Sequence, residues 1–217
     1  MTAAIRCPVC EGLETEAFVR IGAREYWRCA VCAARFMEPA ARLEASAENA
    51  HYQLHENDIH DPAYRRFLSK LAEPLLAVLP PGAEGLDYGC GPGPALGAML
   101  AEAGHEIAYY DPFFAPGTEA LARDYDFVFC SEVAEHFHNP AGEFRRLRGL
   151  VRPGGWLGVM TCFQTDDARF AAWHYPKDPT HVVFYREATL RWLADAEGWT
   201  CTFPCKDVAI LRKPSAP

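Results

Sequence analysis

The stretch Gly85-Leu-Asp-Tyr-Gly-Cys-Gly-Pro-Gly-Pro94 decides the fold of this chain. It joins a short apolar run to a glycine-rich turn, and the helix-like segment 95–104 follows directly. Glycines in such a turn adopt positive φ and let a ligand approach the backbone closely. A second apolar run, 105–110, then ends at Asp111. This order predicts a strand, turn, helix and strand of an open α/β sheet, with a ligand at the strand ends.

The spacing Asp87-x-Gly89-x-Gly91-x-Gly93 resembles motif I of class I S-adenosylmethionine-dependent methyltransferases. The prolines at 92 and 94 remove backbone donors, which suits that family better than a pyrophosphate-binding turn. Three further blocks resemble the family in the same order, at residues 124–136, 150–161 and 199–212. The resemblance covers roughly residues 60–213. It implies an α/β fold with a Rossmann-like sheet and one antiparallel C-terminal strand.

The chain is shorter than the family pattern after the second strand. Only the segment 112–125 separates Asp111 from Asp126, the entry to the next strand block. A crossover plus a strand usually needs at least about 25–30 residues. We therefore expect the third strand of the family sheet to be missing or vestigial, so that the sheet ends at the second strand. Phe113 and Phe114 can cover an adenine face there by stacking, or they can simply fill the core.

The resemblance implies S-adenosylmethionine as the methyl donor, bound where the strands end. Asp111 occupies the position of the acid that accepts the two ribose hydroxyls in this family. The other candidates follow the first, second and fourth strands of the family sheet. The complete cofactor-binding set is Asp87, Gly89, Cys90, Gly91, Gly93, Asp111, Pro112, Phe113, Cys130, Ser131 and Glu132.

Four of the nine cysteines form two pairs near the N-terminus, Cys7-Pro-Val-Cys10 and Cys29-Ala-Val-Cys32. Two Cys-x2-Cys turns, separated here by the segment 11–28, can supply four thiolates to one tetrahedral Zn²⁺. The segment resembles a zinc ribbon with a closed, structural metal site, although Glu11 and Ala33 stand where such turns often have glycine. Two unrelated reduced pairs are the alternative. The predicted metal ligands are Cys7, Cys10, Cys29 and Cys32.

These patterns predict three parts: a zinc ribbon at 1–38, a linker or lid at 39–60, and the methyltransferase domain at 61–217. In class I methyltransferases the segment before motif I often covers the cofactor. Tyr52, His55, Asn57 and Tyr64 are therefore candidates to reach the methionine end of the cofactor or the acceptor. A polar tether with ordinary helix-surface residues explains the segment equally well.

The acceptor side is expected in the aromatic insert 163–185 that follows the fifth strand of the family sheet. The run Asp178-Pro-Thr-His181 resembles a segment of several small-molecule methyltransferases. His136, His174 and His181 are the catalytic candidates, for accepting or relaying a proton. Each of them alone is more often a structural hydrogen-bonding residue. Methyl transfer needs a base only when the nucleophile must lose a proton, so an O, N or C acceptor remains open.

Composition limits the binding partners and the cellular location that we expect for this chain. The chain has 217 residues, 50% hydrophobic residues and a net charge of −8. The acidic balance argues against nucleic acid, because phosphate neutralisation needs a basic face. No apolar run approaches the roughly 20 residues of a membrane helix. The N-terminus carries no signal-peptide core, which favours the cytoplasm. The odd number of cysteines, nine, argues against a disulfide framework there. The oligomeric state is open.

The leading hypothesis is a methyltransferase acting on a small molecule. An RNA base methyltransferase is a second enzymatic hypothesis, because some of those enzymes carry an N-terminal zinc module. A non-catalytic S-adenosylmethionine-binding or scaffold protein, which docks a partner through its ribbon, is a third. A nicotinamide-dependent enzyme fits the glycine turn least well.

Overall fold

The structure is a computed structural model that describes residues 5–53 and 58–216. His55 and Asn57 of the predicted lid lie outside the described residues. The helices are α1 (Ala45–Tyr52), α2 (Pro62–Leu76), α3 (Ala95–Glu102), α4 (Pro140–Gly149) and α5 (Glu187–Asp195). The strands are β1 (Thr15–Ile21), β2 (Arg24–Cys29), β3 (Arg35–Met37), β4 (Glu84–Tyr88), β5 (Glu106–Tyr110), β6 (Tyr125–Ser131), β7 (Val151–Met160), β8 (Val183–Phe184), β9 (Thr200–Thr202) and β10 (Val208–Arg212).

The larger sheet has six strands in the order β5-β4-β6-β7-β10-β9. β5, β4, β6 and β7 run parallel, whereas β10 is antiparallel to both β7 and β9. Residues 127–130 of β6 are all apolar and all buried. A central parallel strand has this pattern because both faces of the sheet are covered. The expected Rossmann-like sheet with an antiparallel C-terminal strand is confirmed.

The prediction of a missing third strand is also confirmed. Within the described residues, 112–124 contain no strand of the sheet but a short 3-10 helix, Thr118–Leu121. The chain turns back immediately after β5, where Asp111 and Ala115 exchange two backbone hydrogen bonds of 3.0 Å. This short segment between Asp111 and β6 cannot hold both a crossover helix and a strand.

Local signals position the helices that pack on this sheet. The carboxylate of Asp61 accepts from the Ala63 N–H at 2.8 Å, and Pro62 begins α2 at the first helical position. Leu68, Leu71 and Leu75 of α2 are buried against the sheet. No helix within residues 5–53 and 58–216 is both long and apolar enough to span a bilayer.

The smaller sheet is antiparallel and has the order β1-β2-β3-β8. β1 and β2 form a hairpin whose turn contains Gly22 at φ 60°. The fourth strand, β8, comes from the insert after β7 and not from the N-terminal segment. It pairs with β3 through Arg35 opposite Phe184 and Phe36 opposite Val183. The N-terminal hairpin is therefore continuous with the larger domain by backbone pairing.

Packing at Gly85 in β4 gives a test of the sheet. A Cβ atom at Gly85 would lie 2.3 Å from the ring of Phe127, which is fully buried. We expect Gly85→Ala to lower the free energy of unfolding by about 1–3 kcal/mol, the usual range for overpacking a core. Urea unfolding followed by circular dichroism measures this.

Gly149→Ala is the matched control, since no atom lies within 4 Å of a Cβ placed on this helical glycine. It should leave stability unchanged or raise it by up to about 1 kcal/mol. An equal urea midpoint for Gly85→Ala and the wild type would contradict this description of the core.

Candidate cofactor and acceptor site

A cavity of about 890 Å³ opens at the carboxyl ends of β4, β5 and β6. Small-molecule sites usually occupy roughly 300–1,000 Å³, so this volume suits a cofactor together with an acceptor. We call one half the cofactor end; it is formed by Asp87, residues 89–93, residues 111–114 and Ser131. We call the opposite half the acceptor wall; it is formed by Tyr52, Glu132, Glu135, His136, His174, Tyr175, Asp178 and His181.

The glycine turn after β4 exposes its backbone to the cavity. Gly89 has φ 84°, and a Cβ there would lie 2.6 Å from the methyl groups of Val133, so only glycine fits. Gly91 has φ 60°, and no atom lies within 4 Å of a Cβ built at that position. The turn is tied to β5, because Gly89 N donates to Tyr110 O at 2.7 Å. An open backbone of this kind accommodates the close approach of a ligand.

Asp111 holds the glycine turn and the loop after β5 together. Its side chain is buried, with 7% exposure. Oδ2 accepts from Gly91 N at 3.0 Å, and Oδ1 accepts from the N–H groups of Phe113 and Phe114 at 2.8 and 3.0 Å. The carboxylate is therefore fixed at the tip of β5. A carboxylate has about four acceptor sites, so hydroxyl groups of a ligand can still bind to it.

Asp87 lies at the tip of β4 beside the cavity. Burial raises the pKa of its carboxyl to about 8, while the N–H of Gly97 acts in the opposite direction. The fit of Gly97 is close, since a Cβ there would lie 3.0 Å from Asp87 Oδ2. A cationic group bound in the cavity would favour the charged form of this buried carboxyl.

All of the remaining cofactor candidates except Cys130 line the cavity. The lining residues are Gly93, Cys90, Pro112, Phe113, Ser131 and Glu132. Ser131 Oγ is buried and has no hydrogen-bond partner within the described residues, as expected where a polar ligand completes a site. Cys130 lies elsewhere: it is fully buried in the hydrophobic core and does not line the cavity.

Two carboxyl groups, the half-buried Glu132 and the fully buried Glu135, characterise the acceptor wall. Glu132 follows the end of β6 with φ 55°, a conformation that is uncommon for residues other than glycine. Tyr175 Oη donates to Glu135 and lies 3.4 Å from Glu132 Oε2. Burial, followed by the charge of Glu135, raises the pKa of Glu132 to about 9. Burial also raises the pKa of Glu135, which is fully inaccessible.

The structure brings His136 and His181 together and leaves His174 apart. The ring centroids of His136 and His181 are 4.8 Å from each other, and the ring of Tyr175 packs 4.1 Å from that of His181. His174 lies exposed on the rim of the same cavity. Burial lowers the pKa of His181. One potential ligand atom each from Glu135, His136 and His181 lies within 4.8 Å of the other two, so this group could hold a metal ion.

The predicted lid contributes to the cavity through Tyr52, and Tyr64 of α2 lines it as well. Tyr52 ends α1, and its ring packs 5.2 Å from that of His136. Its hydroxyl donates to Glu48 Oε1 at 2.9 Å, and Glu48 in turn pairs with His138 at 3.3 Å. The hydroxyl of Tyr52 is therefore oriented by a carboxylate on its own helix.

The four N-terminal cysteines form one compact cluster. Their sulfur atoms lie within 4.8 Å of one another, with Cys7 and Cys32 at 3.6 Å and Cys10 and Cys29 at 3.5 Å. Tetrahedral coordination with Zn–S bonds of about 2.3 Å requires sulfur separations of roughly 3.8 Å. The cluster fits a structural zinc site. Glu11 and Ala33, which replace the usual glycines, adopt φ 60° and 59°, so both turns keep the backbone that glycine normally supplies.

The ribbon packs directly against the loop that carries the acceptor wall. Met37 N donates to Val182 O at 2.8 Å, one residue from His181. Tyr26 Oη donates to Pro176 O at 3.2 Å, one residue from Tyr175. The positions of Tyr175 and His181 therefore depend on contacts made by the four-cysteine segment.

A partly buried ion pair adds a further link between the ribbon and this loop. Arg35 of β3 is buried and donates to both carboxylate oxygens of Asp167, at 3.0 and 2.6 Å. A bidentate contact of this kind fixes the relative orientation of the two side chains as well as their distance. The segment that follows β7 is therefore held by the ribbon near its beginning too.

Comparison with known proteins decides the family. A model of the methyltransferase domain matches residues 60–202, about two thirds of the chain. The chain belongs to this methyltransferase family. The ubiquinone biosynthesis O-methyltransferase of Serratia proteamaculans is 34% identical over 77 residues, which cover 36% of this chain and 32% of the relative. The chain thus matches only about a third of the length of that curated relative.

Solved structures share the fold of this methyltransferase. The Burkholderia thailandensis 1,6-didemethyltoxoflavin-N1-methyltransferase, with bound substrate and S-adenosylhomocysteine, aligns at a TM-score of 0.50 and 18% identity, covering 92% of this chain and 100% of its own. The Synechocystis magnesium protoporphyrin IX methyltransferase, with bound S-adenosylhomocysteine, aligns at 0.52 and 15% identity, covering 78% and 94%. Together with the sheet order, these similarities identify a class I methyltransferase fold.

Sequence reasoning did not assign a site role to Glu135 or Tyr175. Glu135 stands inside the Glu-Val-Ala-Glu-His block at 132–136, where its position one residue before His136 was the available signal. Tyr175 is one of many aromatic residues in the insert, and nothing in its spacing distinguishes it. Its role depends on a contact across 40 residues of sequence.

The contacts of the ribbon lead to a test of the four-cysteine site. We expect Cys29→Ser to abolish binding of one zinc equivalent, because a hydroxyl replaces a thiolate ligand. Amide hydrogen exchange should then accelerate in β3, in β8 and in the loop that carries Tyr175 and His181. The glycine turn after β4 should keep its protection, since it is bonded to β5 and not to the ribbon.

Cys205→Ser is the control, because Cys205 is exposed and lies outside the cluster. It should retain the metal and the wild-type exchange pattern. Unchanged exchange around residues 174–182 in metal-free Cys29→Ser would show that the ribbon does not order the acceptor wall.

Proposed function

We propose that this methyltransferase transfers the methyl group of S-adenosylmethionine to a hydroxyl oxygen of a small molecule. The observation that carries the proposal is one continuous cavity with the glycine turn and Asp111 at one end and a wall of imidazole, phenol and carboxyl groups at the other. The name of the Serratia relative, an O-methyltransferase, supports oxygen as the acceptor atom.

At the cofactor end, the chain contributes orientation and shape. Asp111 is assigned to the ribose hydroxyls, the open backbone at Gly91 to close contact with the ligand, and Phe113 to the adenine face. The other proposed contacts at this end are Asp87, Gly89, Cys90, Gly93, Pro112 and Ser131. Glu132, from the acceptor wall, is also proposed to contact the cofactor, and Cys130 is left out because it does not line the cavity. When bound, S-adenosylmethionine supplies an electrophilic methyl group on a sulfonium sulfur.

At the acceptor wall, His136 and His181 are the residues proposed to promote loss of the proton from the acceptor hydroxyl. The acceptor oxygen forms a bond to the methyl carbon while the electron pair of the breaking S–C bond remains on sulfur. The hydroxyl proton leaves, so the products are a methyl ether, S-adenosylhomocysteine and one proton. Alignment and exclusion of water supply much of the rate in such an in-line displacement. His174, on the rim, is better placed to contact the acceptor than to take its proton.

We also propose that the three parts predicted from the sequence each contribute to this function. Residues 1–38 form a ribbon holding Zn²⁺, 39–60 a lid that places Tyr52 over the cavity, and 61–217 the catalytic domain. The ribbon is proposed to support the acceptor wall rather than to act as a separate docking module. Nine unpaired cysteines support a cytoplasmic location. Carboxyl groups around the cavity and a net charge of −8 argue against an RNA substrate.

Turnover of a chemical panel tests the acceptor class. The purified protein is incubated with S-adenosylmethionine carrying a deuterated methyl group and with sets of phenols, catechols, amines and thiols. We expect mass spectrometry to detect an O-methylated phenolic product together with an equal amount of S-adenosylhomocysteine. Methylation confined to amines or thiols would refute the oxygen assignment, and cofactor binding without any product would favour the scaffold hypothesis.

Binding of S-adenosylhomocysteine tests the role of Asp111. Asp111→Ala should weaken binding by about 1.5–3 kcal/mol, as is typical of hydrogen bonds to a charged group, and should loosen the turn at Gly91 as well. Isothermal titration calorimetry measures the loss. Asp124→Ala, an exposed acid in the following loop, is the matched control and should bind like the wild type. Equal affinity of both variants would remove Asp111 from the site.

A further inference from the structure

Three side chains of the acceptor wall converge on one point beside the cavity. Glu135, His136 and His181 each offer one atom within 4.8 Å of the other two, and all three residues line the cavity. Metal–ligand bonds of about 2.0–2.2 Å keep ligand atoms roughly 3–4.4 Å apart, so small side-chain rotations would close this group around an ion. The spacing alone therefore permits a coordination site.

Both imidazoles are oriented in the way that metal-binding histidines are. His136 Nδ1 lies 3.0 Å from Thr180 O, and His181 Nδ1 lies 2.9 Å from Tyr175 O. A nitrogen that faces a carbonyl oxygen must carry the hydrogen, so the neutral ring has its lone pair on Nε2. Backbone carbonyls fix the tautomer and the direction of ligating histidines in the same manner.

The carboxyl group supplies an independent indication. Glu135 is fully buried, and its Oε2 has no hydrogen-bond partner within the described residues. Glu132 lies beside it, and neither carboxylate forms an ion pair with any lysine or arginine in the part of the chain that the structure describes. A fully buried carboxyl group with an unpaired oxygen is costly unless a cation completes the site.

We propose that Glu135, His136 and His181 bind a divalent first-row transition-metal cation at the acceptor end of the cavity. Two imidazoles and one carboxylate form a set that holds such ions on one face and leaves other positions open. The coordinating side chains line the cavity, so the open positions are accessible to an oxygen of the acceptor. The proposed cation site rests on these three side chains only and does not depend on the proposed function.

A role for the cation in the chemistry rests on the proposed function. A hydroxyl oxygen bound to a divalent ion has a lowered pKa, so it releases its proton to water more readily. The resulting oxyanion then takes the methyl carbon, and the S–C electron pair stays on sulfur. The two histidines then promote loss of the hydroxyl proton through the bound ion, which refines the role proposed for them above.

The four-cysteine cluster does not obscure the test, because thiolates prefer Zn²⁺ whereas nitrogen and carboxylate ligands also accept Mn²⁺. Zinc-loaded full-length protein is titrated with Mn²⁺, and binding is followed by calorimetry and by the electron paramagnetic resonance signal of free Mn²⁺. We expect one Mn²⁺ equivalent beyond the zinc of the ribbon.

Three variants locate the bound ion. Glu135→Gln and His181→Gln should each weaken Mn²⁺ binding at least tenfold, since each removes one ligand. His174→Gln, a change on the rim of the same cavity, should bind Mn²⁺ like the wild type. Binding of S-adenosylhomocysteine to every variant is measured in parallel, so that a misfolded variant is recognised and excluded.

Absence of Mn²⁺ binding by the wild type would overturn the proposal, as would binding that survives both Glu135→Gln and His181→Gln. Methylation is assayed separately. Mn²⁺ bound as expected without methylation of any acceptor would leave the cation site standing and refute the proposed function. Methylation without Mn²⁺ binding would support the proposed function and overturn the cation site.

Discussion

Backbone pairing between β3 and β8 is the constraint on which the acceptor half of this protein depends. β8 has only two residues, and a strand so short has little stability without a partner. Its partner belongs to the four-cysteine segment, which is itself too small to bury a sufficient core without metal. The four-cysteine segment and β8 therefore stabilise each other through this pairing. The loop between β7 and β8, which carries Tyr175 and His181, is held at both ends by this arrangement.

Carboxyl groups line both halves of the cavity, which matches the proposed chemistry. The cofactor end presents the buried Asp87 and Asp111, and the acceptor wall presents the buried Glu135 and the half-buried Glu132. Grouped carboxyl groups in a low-dielectric site favour cations and disfavour anions. A sulfonium donor at one end and a divalent cation at the other would both relieve the repulsion among them. The same field would disfavour a polyphosphate ligand.

The shortened sheet shows how the fold tolerates loss of an outer strand. β5 becomes an edge, and exposed edges invite unwanted pairing. Here the chain folds back at once through Asp111 and Ala115, and a 3-10 helix packs beside β5. The loop that replaces the lost crossover donates two N–H groups to Asp111. The residues that end the sheet therefore also shape the cofactor end of the cavity.

The sequence by itself determined the parts whose cause is local. Glycine spacing requires a turn with positive φ, two Cys-x2-Cys pairs require convergent sulfurs, and the segment 112–125 is too short for a crossover and a strand. Local rules could not place residues that meet across long separations. Only the tertiary structure added β8 to the ribbon sheet, joined Tyr175 to Glu135, separated His174 from His181 and buried Cys130 away from the cavity. These outcomes depend on packing between distant segments, because side-chain direction within a loop has no periodicity to reveal it.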